Sequence, residues 1–246
     1  MGLSPSTLFH FTSKDGLKGI LSDNFKIFYC KEKLKHSIKP IEVAIPMVSF
    51  CDIKLSQITE HIEKYGHYGI GLTKEWAYEN NLNPVFYYNP HSELVDNIFT
   101  TLRKLKEEKI IEINDYLNLS RIIQYHKIYE GELKTEKVDY DNYRFADERE
   151  WRYVLPELFI DKDFIGWILN SNLSTDIQKK EANFRIEKSR LVFEPKNILY
   201  IIVKKEEEIE EFINHITHSK GKTFSHFEIE RLKTRIVSCE RIVNDF

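Results

Sequence analysis

The sequence predicts an α+β fold, a mixed β-sheet core with peripheral helices. Three observations predict it. Short stretches of period-two alternation are interleaved with helical stretches of uneven length, which suits a mixed sheet rather than a regular βα repeat. Hydrophobic residues make up 41% of the 246 positions and include 16 Phe and 13 Tyr, enough for a largely aromatic core. Only 9 Gly and 7 Pro are present, so linker-rich and repeat architectures are excluded.

The elements follow in order. Thr7 to Phe11 (TLFHF) reads as a strand, and Ser13 or Asp15 caps a helix through Leu21. Phe25 to Tyr29 alternates as a second strand, and residues 30–40 are basic and read as a loop. Glu42 to Ile53 is apolar and strand-like, but Pro46 cannot donate a ladder hydrogen bond and predicts an interruption, a bulge or an edge. Ser56 opens a helix to Tyr65, and Gly66 ends it. His67 to Leu72 is a strand whose glycines imply tight packing or close approach of a ligand. Thr73 caps a short helix through Glu79, and Pro84 to Tyr88 is a strand. Ser92 starts a long helix to about Lys109 with Leu94, Ile98, Leu102 and Leu105 as its stripe.

Residues 121–134 fit helix and strand equally, and 130–142 reads as a long charged surface loop. Late strands are expected at Leu191 to Phe193, Ile198 to Val203 and Ile236 to Cys239, with a helix from Glu206 to His215. No composition shift marks a boundary, so residues 1–246 form a single domain.

The net charge of -3 supplies no global attraction to nucleic acid or membrane. Local basic stretches, Lys31 to Lys39 and Arg103, Lys104 and Lys106, leave nucleic-acid binding as a minor reading. Cys30, Cys51 and Cys239 are widely spaced and form no CxxC pair, as in a reducing compartment without structural zinc. No leader and no apolar run of about 20 residues is present, so a cytoplasmic protein without a membrane anchor is expected. The histidines are scattered and no HExxH occurs, so no metal is expected.

Four segments are the candidates for chemistry. His10 and Thr12 share a strand face and can hydrogen-bond a ribose or an amide. Ser49 and Cys51 share another. Tyr65 and Tyr68 can stack on a flat ring. The most informative segment is Ala146 to Val154 (ADEREWRYV). Read as a strand, it puts Glu148, Glu150 and Arg152 on one face and Arg149, Trp151 and Tyr153 on the other. Paired carboxylates can raise one another's pKa or stabilise a developing positive charge. The plainer reading is a solvated face on which Glu150 pairs with Arg152.

Taken together, LFHFT (8–12), PMVSFCDIKLS (46–56), YGHYGIGLTKEW (65–76) with NPVFYY (83–88), and DEREWRYV (147–154) resemble the AbiGi family of abortive phage-resistance proteins. The resemblance covers about the first two thirds of the chain. It implies a single AbiGi-like domain, one member of a two-gene abortive-infection system, with a partner toxin or antitoxin.

A more distant likeness is to ADP-ribosyltransferases, through the order H-x-T, aromatic element, strand-borne Glu. It implies NAD as substrate, with a protein or nucleic acid as acceptor. His10 and Thr12 would hold the adenosine-side ribose or the carboxamide, and Tyr65 or Tyr68 would stack on the nicotinamide. Glu150, or alternatively Glu148, would bind the nicotinamide ribose and stabilise an oxocarbenium-like transition state, with His10 completing the catalytic set. Phe11 departs from the Gly of the polymerase-like enzymes.

Overall fold

A computed structural model describes residues 4–34, 41–134, 138–156, 168–169, 175–221 and 223–245. The elements run β1 (Thr7–Thr12), α1 (Lys14–Asp23), β2 (Phe25–Lys26), β3 (Phe28–Leu34) and β4 (Ile41–Cys51). Then come α2 (Thr59–Tyr65), β5 (Tyr68–Thr73), α3 (Lys74–Glu79), β6 (Asn83–Pro84), β7 (Phe86–Tyr88), α4 (Leu94–Glu107) and α5 (Ile113–Ser120). They are followed by β8 (His126–Ile128), β9 (Gly131–Lys134), β10 (Asp139–Tyr143), β11 (Glu150–Val154) and β12 (Ile168–Leu169). The chain ends with α6 (Asp176–Arg185), β13 (Arg190–Leu191), β14 (Ile198–Val203), α7 (Ile209–Lys220), α8 (His226–Lys233), β15 (Ile236–Ser238) and α9 (Cys239–Asp245).

The predicted α+β class holds. The main sheet runs β15-β14-β5-β1-β4-β11-β6, with β3 and β12 also paired to β4. It is mixed because β14 and β15 are parallel while the other pairs are antiparallel. That parallel pair needs a crossover, which α7 and α8 supply.

Strand alternation sorts the core onto two faces. Leu8, Phe50, Ile70, Leu72 and Ile201 meet α1, α3, α7 and α8 on one face through Leu17, Trp76, Phe212 and Leu232. Phe9, Cys51 and Ile202 meet Ile62 of α2 and Ile242 of α9 on the other. A third cluster under β3, β4 and α4 holds Leu34, Val43, Ile45, Val95 and Leu102. The glycines of β5 serve packing. A Cβ on Gly71 would lie 2.8 Å from the Phe9 ring, and one on Gly69 would lie 2.9 Å from the Phe11 ring.

Two of the caps read from sequence hold, whereas Ser56 and Ser92 do not cap α2 and α4, which begin at Thr59 and Leu94. The Ser13 hydroxyl accepts from Gly16 N at 3.1 Å, and Thr73 accepts from Trp76 N at 3.2 Å. Other expectations are corrected. Cys30 to Leu34 extend β3 instead of looping, because all seven β3 residues pair with β4. Residues 35–40 lie outside the described residues. Pro46 does not interrupt β4. It pairs with Tyr29 inside the β3–β4 ladder and lies one position past the last β11 pair, Val154 with Met47, where its carbonyl still accepts from Leu155 N at 3.0 Å. The expected loop at 130–142 holds the antiparallel pair β9 and β10. The helix expected from Ser56 starts at Thr59, after a 3-10 turn over Leu55–Gln57.

Candidate functional site

The opening in the sheet is the feature that makes a site. β4 pairs with β1 only at Cys51 and with β3 from Met47 back to Ile41. Between those ladders the strands part, and the edge of β4 at Ser49 faces the gap. His10 bridges it, its Nδ1 lying 2.8 Å from the Ser49 carbonyl oxygen, which fixes the proton on that nitrogen. Burial lowers the His10 pKa, with the Ser49 bond opposing, so the ring is neutral at pH 7.

A cavity of about 230 Å³ occupies this gap. Its lining includes His10, Tyr65, Glu148 and Glu150, four of the six residues expected from sequence. The other two lie off it. The Thr12 side chain packs on the first turn of α1, where a Cβ on Gly16 would clash with its hydroxyl. Tyr68 donates its hydroxyl to Glu208 at 2.8 Å and stacks on Phe212 at 6.1 Å.

The DEREWRYV segment is not a continuous strand. Phe145–Glu148 is a 3-10 turn, Arg149 adopts a left-handed conformation (φ 47°), and β11 begins at Glu150. The left-handed residue, uncommon outside Gly, Asn and Asp, turns the chain so that both carboxylates still reach the cavity.

The two carboxylates have different surroundings. Glu150 is buried in a charge cluster. Arg152, fully buried, donates Nε to Glu150 Oε1 at 2.6 Å, Nη2 to Glu32 Oε1 at 2.8 Å and Nη1 to the Gln124 carbonyl at 2.8 Å. Lys127 lies 3.0 Å from Glu32 and 3.6 Å from Glu150. Burial alone would raise the Glu150 pKa, but the Arg152 and Lys127 charges outweigh it and hold the carboxyl well below the usual range. The Glu150–Arg152 pair read from sequence is therefore real, but it is buried rather than solvated.

Glu148 accepts a 2.5 Å hydrogen bond from the Tyr65 hydroxyl. Burial raises its pKa, with the Lys127 charge and the Tyr65 bond opposing. A carboxyl raised on folding costs stability above its folded pKa and nothing below its unfolded value of about 4.3. Glu148→Gln is therefore expected to melt higher than the native chain at pH 7, with the advantage fading as the pH falls to about 4. Thermal denaturation across that range checks the sign, and a lower melting point at pH 7 contradicts it.

Sequence reasoning missed Glu32, Lys127 and His61 as cavity residues. Lys127 sat in the ambiguous 121–134 stretch and Glu32 in the presumed loop. Neither carried a local signal, because their meeting depends on β8 lying against β3. Among the described residues, no helix is long and apolar enough to cross a membrane.

Residues 23–204 match the family profile described as "Putative abortive phage resistance protein AbiGi, antitoxin". The chain belongs to the AbiGi family. A relative from Lactococcus lactis subsp. cremoris, "Abortive phage resistance protein AbiGi", is 28% identical over 230 residues, covering 82% of this chain and 89% of the relative. No solved structure matches the chain. The AbiGi match includes Tyr65, Glu148 and Glu150 and begins after His10.

Proposed function

We propose that this AbiGi-family protein is the antitoxin half of an abortive-infection pair and restrains a partner toxin by binding it. One observation carries this reading beyond the family's description. Glu150, the carboxylate best suited by sequence to catalysis, is committed to Arg152 and Lys127 inside the fold. A carboxylate so neutralised has little charge left to offer a developing cation. The test is co-purification. The toxin encoded beside this chain should be retained by the tagged protein in amounts near one to one. Failure to retain an expressed, folded toxin sinks the reading.

A second reading, transfer of ADP-ribose from NAD, is favoured by the convergence of His10, Tyr65 and Glu148 on one cavity. Glu148 then takes the role of holding the nicotinamide ribose, Glu150 and Arg152 act as its scaffold, and NAD is substrate rather than resident cofactor. This reading expects label from NAD to reach a protein or nucleic-acid acceptor, with Glu148→Gln lowering the rate at least 100-fold or so, as loss of one transition-state contact does. NAD left uncleaved in the presence of cell extract removes it.

A further inference from the structure

Two features of the cavity in the sheet opening point to the charge of what it holds. The first is a run of rings. Phe9, Phe11, His61 and Tyr65 all line the cavity, and each adjoins the next, with centres 6.0, 6.2 and 5.7 Å apart. Aromatic faces carry the negative end of a quadrupole and attract cations, most strongly where water is excluded. The run ends at Tyr65, whose hydroxyl donates to Glu148.

The second is an imbalance of charge. Three carboxylates line the cavity, Glu32, Glu148 and Glu150. Arg152 is bound to Glu32 and Glu150, and Lys127 lies against the same two acids. Glu148 is left with phenol donors, Tyr65 and Tyr143, and among the described residues it enters no ion pair. It is only 6% exposed, so water does little to solvate it. His10 is neutral and adds no positive charge. Lys31 also lines the cavity but is exposed, where solvent screens its ammonium. The wall therefore holds an excess negative charge at Glu148, beside the run of rings. At about 230 Å³ the cavity lies below the roughly 300–1,000 Å³ of pockets for drug-sized ligands, so it suits a single ring with one head group.

We infer that this cavity is a site for a small, flat aromatic cation, its ring against Phe11, His61 and Tyr65 and its charged edge on Glu148. Such a ligand supplies the positive charge that the wall lacks. N–H donors in the plane of the cation match a carboxylate with two parallel bonds, as a guanidinium does. A neutral ring would leave Glu148 uncompensated, and an anion would add to the excess. The inference rests neither on toxin binding nor on cleavage of NAD.

Benzamidine and benzamide test it, because they match in size and ring and differ in charge. Calorimetric titration of the full chain should show benzamidine binding, with benzamide at least about tenfold weaker, the worth of one charge-assisted hydrogen bond. Glu148→Gln keeps the shape of the side chain and removes its charge, so the two probes should bind that variant alike. Phe11→Leu keeps an apolar wall without the ring and should weaken benzamidine several-fold. The inference is overturned if benzamidine does not bind the native chain at millimolar concentration, or if benzamide binds equally well. It is also overturned if Glu148→Gln leaves the preference for benzamidine intact, or if Phe11→Leu leaves benzamidine binding unchanged. Retained toxin without benzamidine binding would sink this inference and leave the antitoxin reading standing; benzamidine binding without retained toxin would do the reverse.

Discussion

Arg152→Met lowers the stability of the fold by about 3–5 kcal/mol, the cost of stranding a buried charge. Arg152 is fully buried and answers two carboxylates, Glu32 and Glu150. Met fills similar space but leaves Lys127 alone to face both acids. At roughly 2–4 °C per kcal/mol for a chain of this size, the melting point falls by about 10 °C. Adding Glu150→Gln restores a neutral cluster of Glu32 with Lys127, so the double variant should recover part of the loss. Urea denaturation of the two single variants and the double measures the coupling. Additive losses would show that the cluster is not a unit.

Trp76→Ala has a comparable effect through different physics. Trp76 is 2% exposed and packs against Phe25 and Phe50 at 6.4 and 5.6 Å between ring centres. Its indole Nε1 donates to the Val192 carbonyl at 2.9 Å, tying α3 to the approach to β14. Truncation leaves a cavity and a carbonyl without its partner, and costs about 3–5 kcal/mol. Trp76→Phe keeps most of the volume and loses the hydrogen bond, so it should cost clearly less. Equal losses in the two variants would place the stabilisation in the hydrogen bond rather than in packing.

Much of this was legible in the sequence, for local reasons. The caps at Ser13 and Thr73 and the strand-forming runs TLFHF and EVAIPMVSFC are written in neighbouring residues. The convergence of His10, Tyr65, Glu148 and Glu150 on one cavity was also legible, through the order of their segments. What the local pattern could not carry is pairing at a distance. Glu32 meets Arg152 and Lys127 meets Glu150 from strands far apart in the chain, and no periodicity announces that. The DEREWRYV stretch shows a second limit. Period-two reading ran a strand through Glu148, but the backbone turns left-handed at Arg149, and a single non-Gly turn leaves no mark in a hydrophobic pattern. Pro46 shows a third. A proline is tolerated inside a central strand where one neighbouring ladder runs out while the other, here with β3, continues, which only the sheet register reveals.

The central claim is that this chain restrains a toxin and does so by binding. Growth of a host carrying inducible copies of this chain and of the product of its neighbouring gene, as the candidate toxin, tests it most directly. The account predicts that the chain alone leaves growth unchanged, that it restores growth stopped by the toxin, and that Glu148→Gln restores it equally well. Growth arrest by this chain alone, relieved by Glu148→Gln, would contradict it.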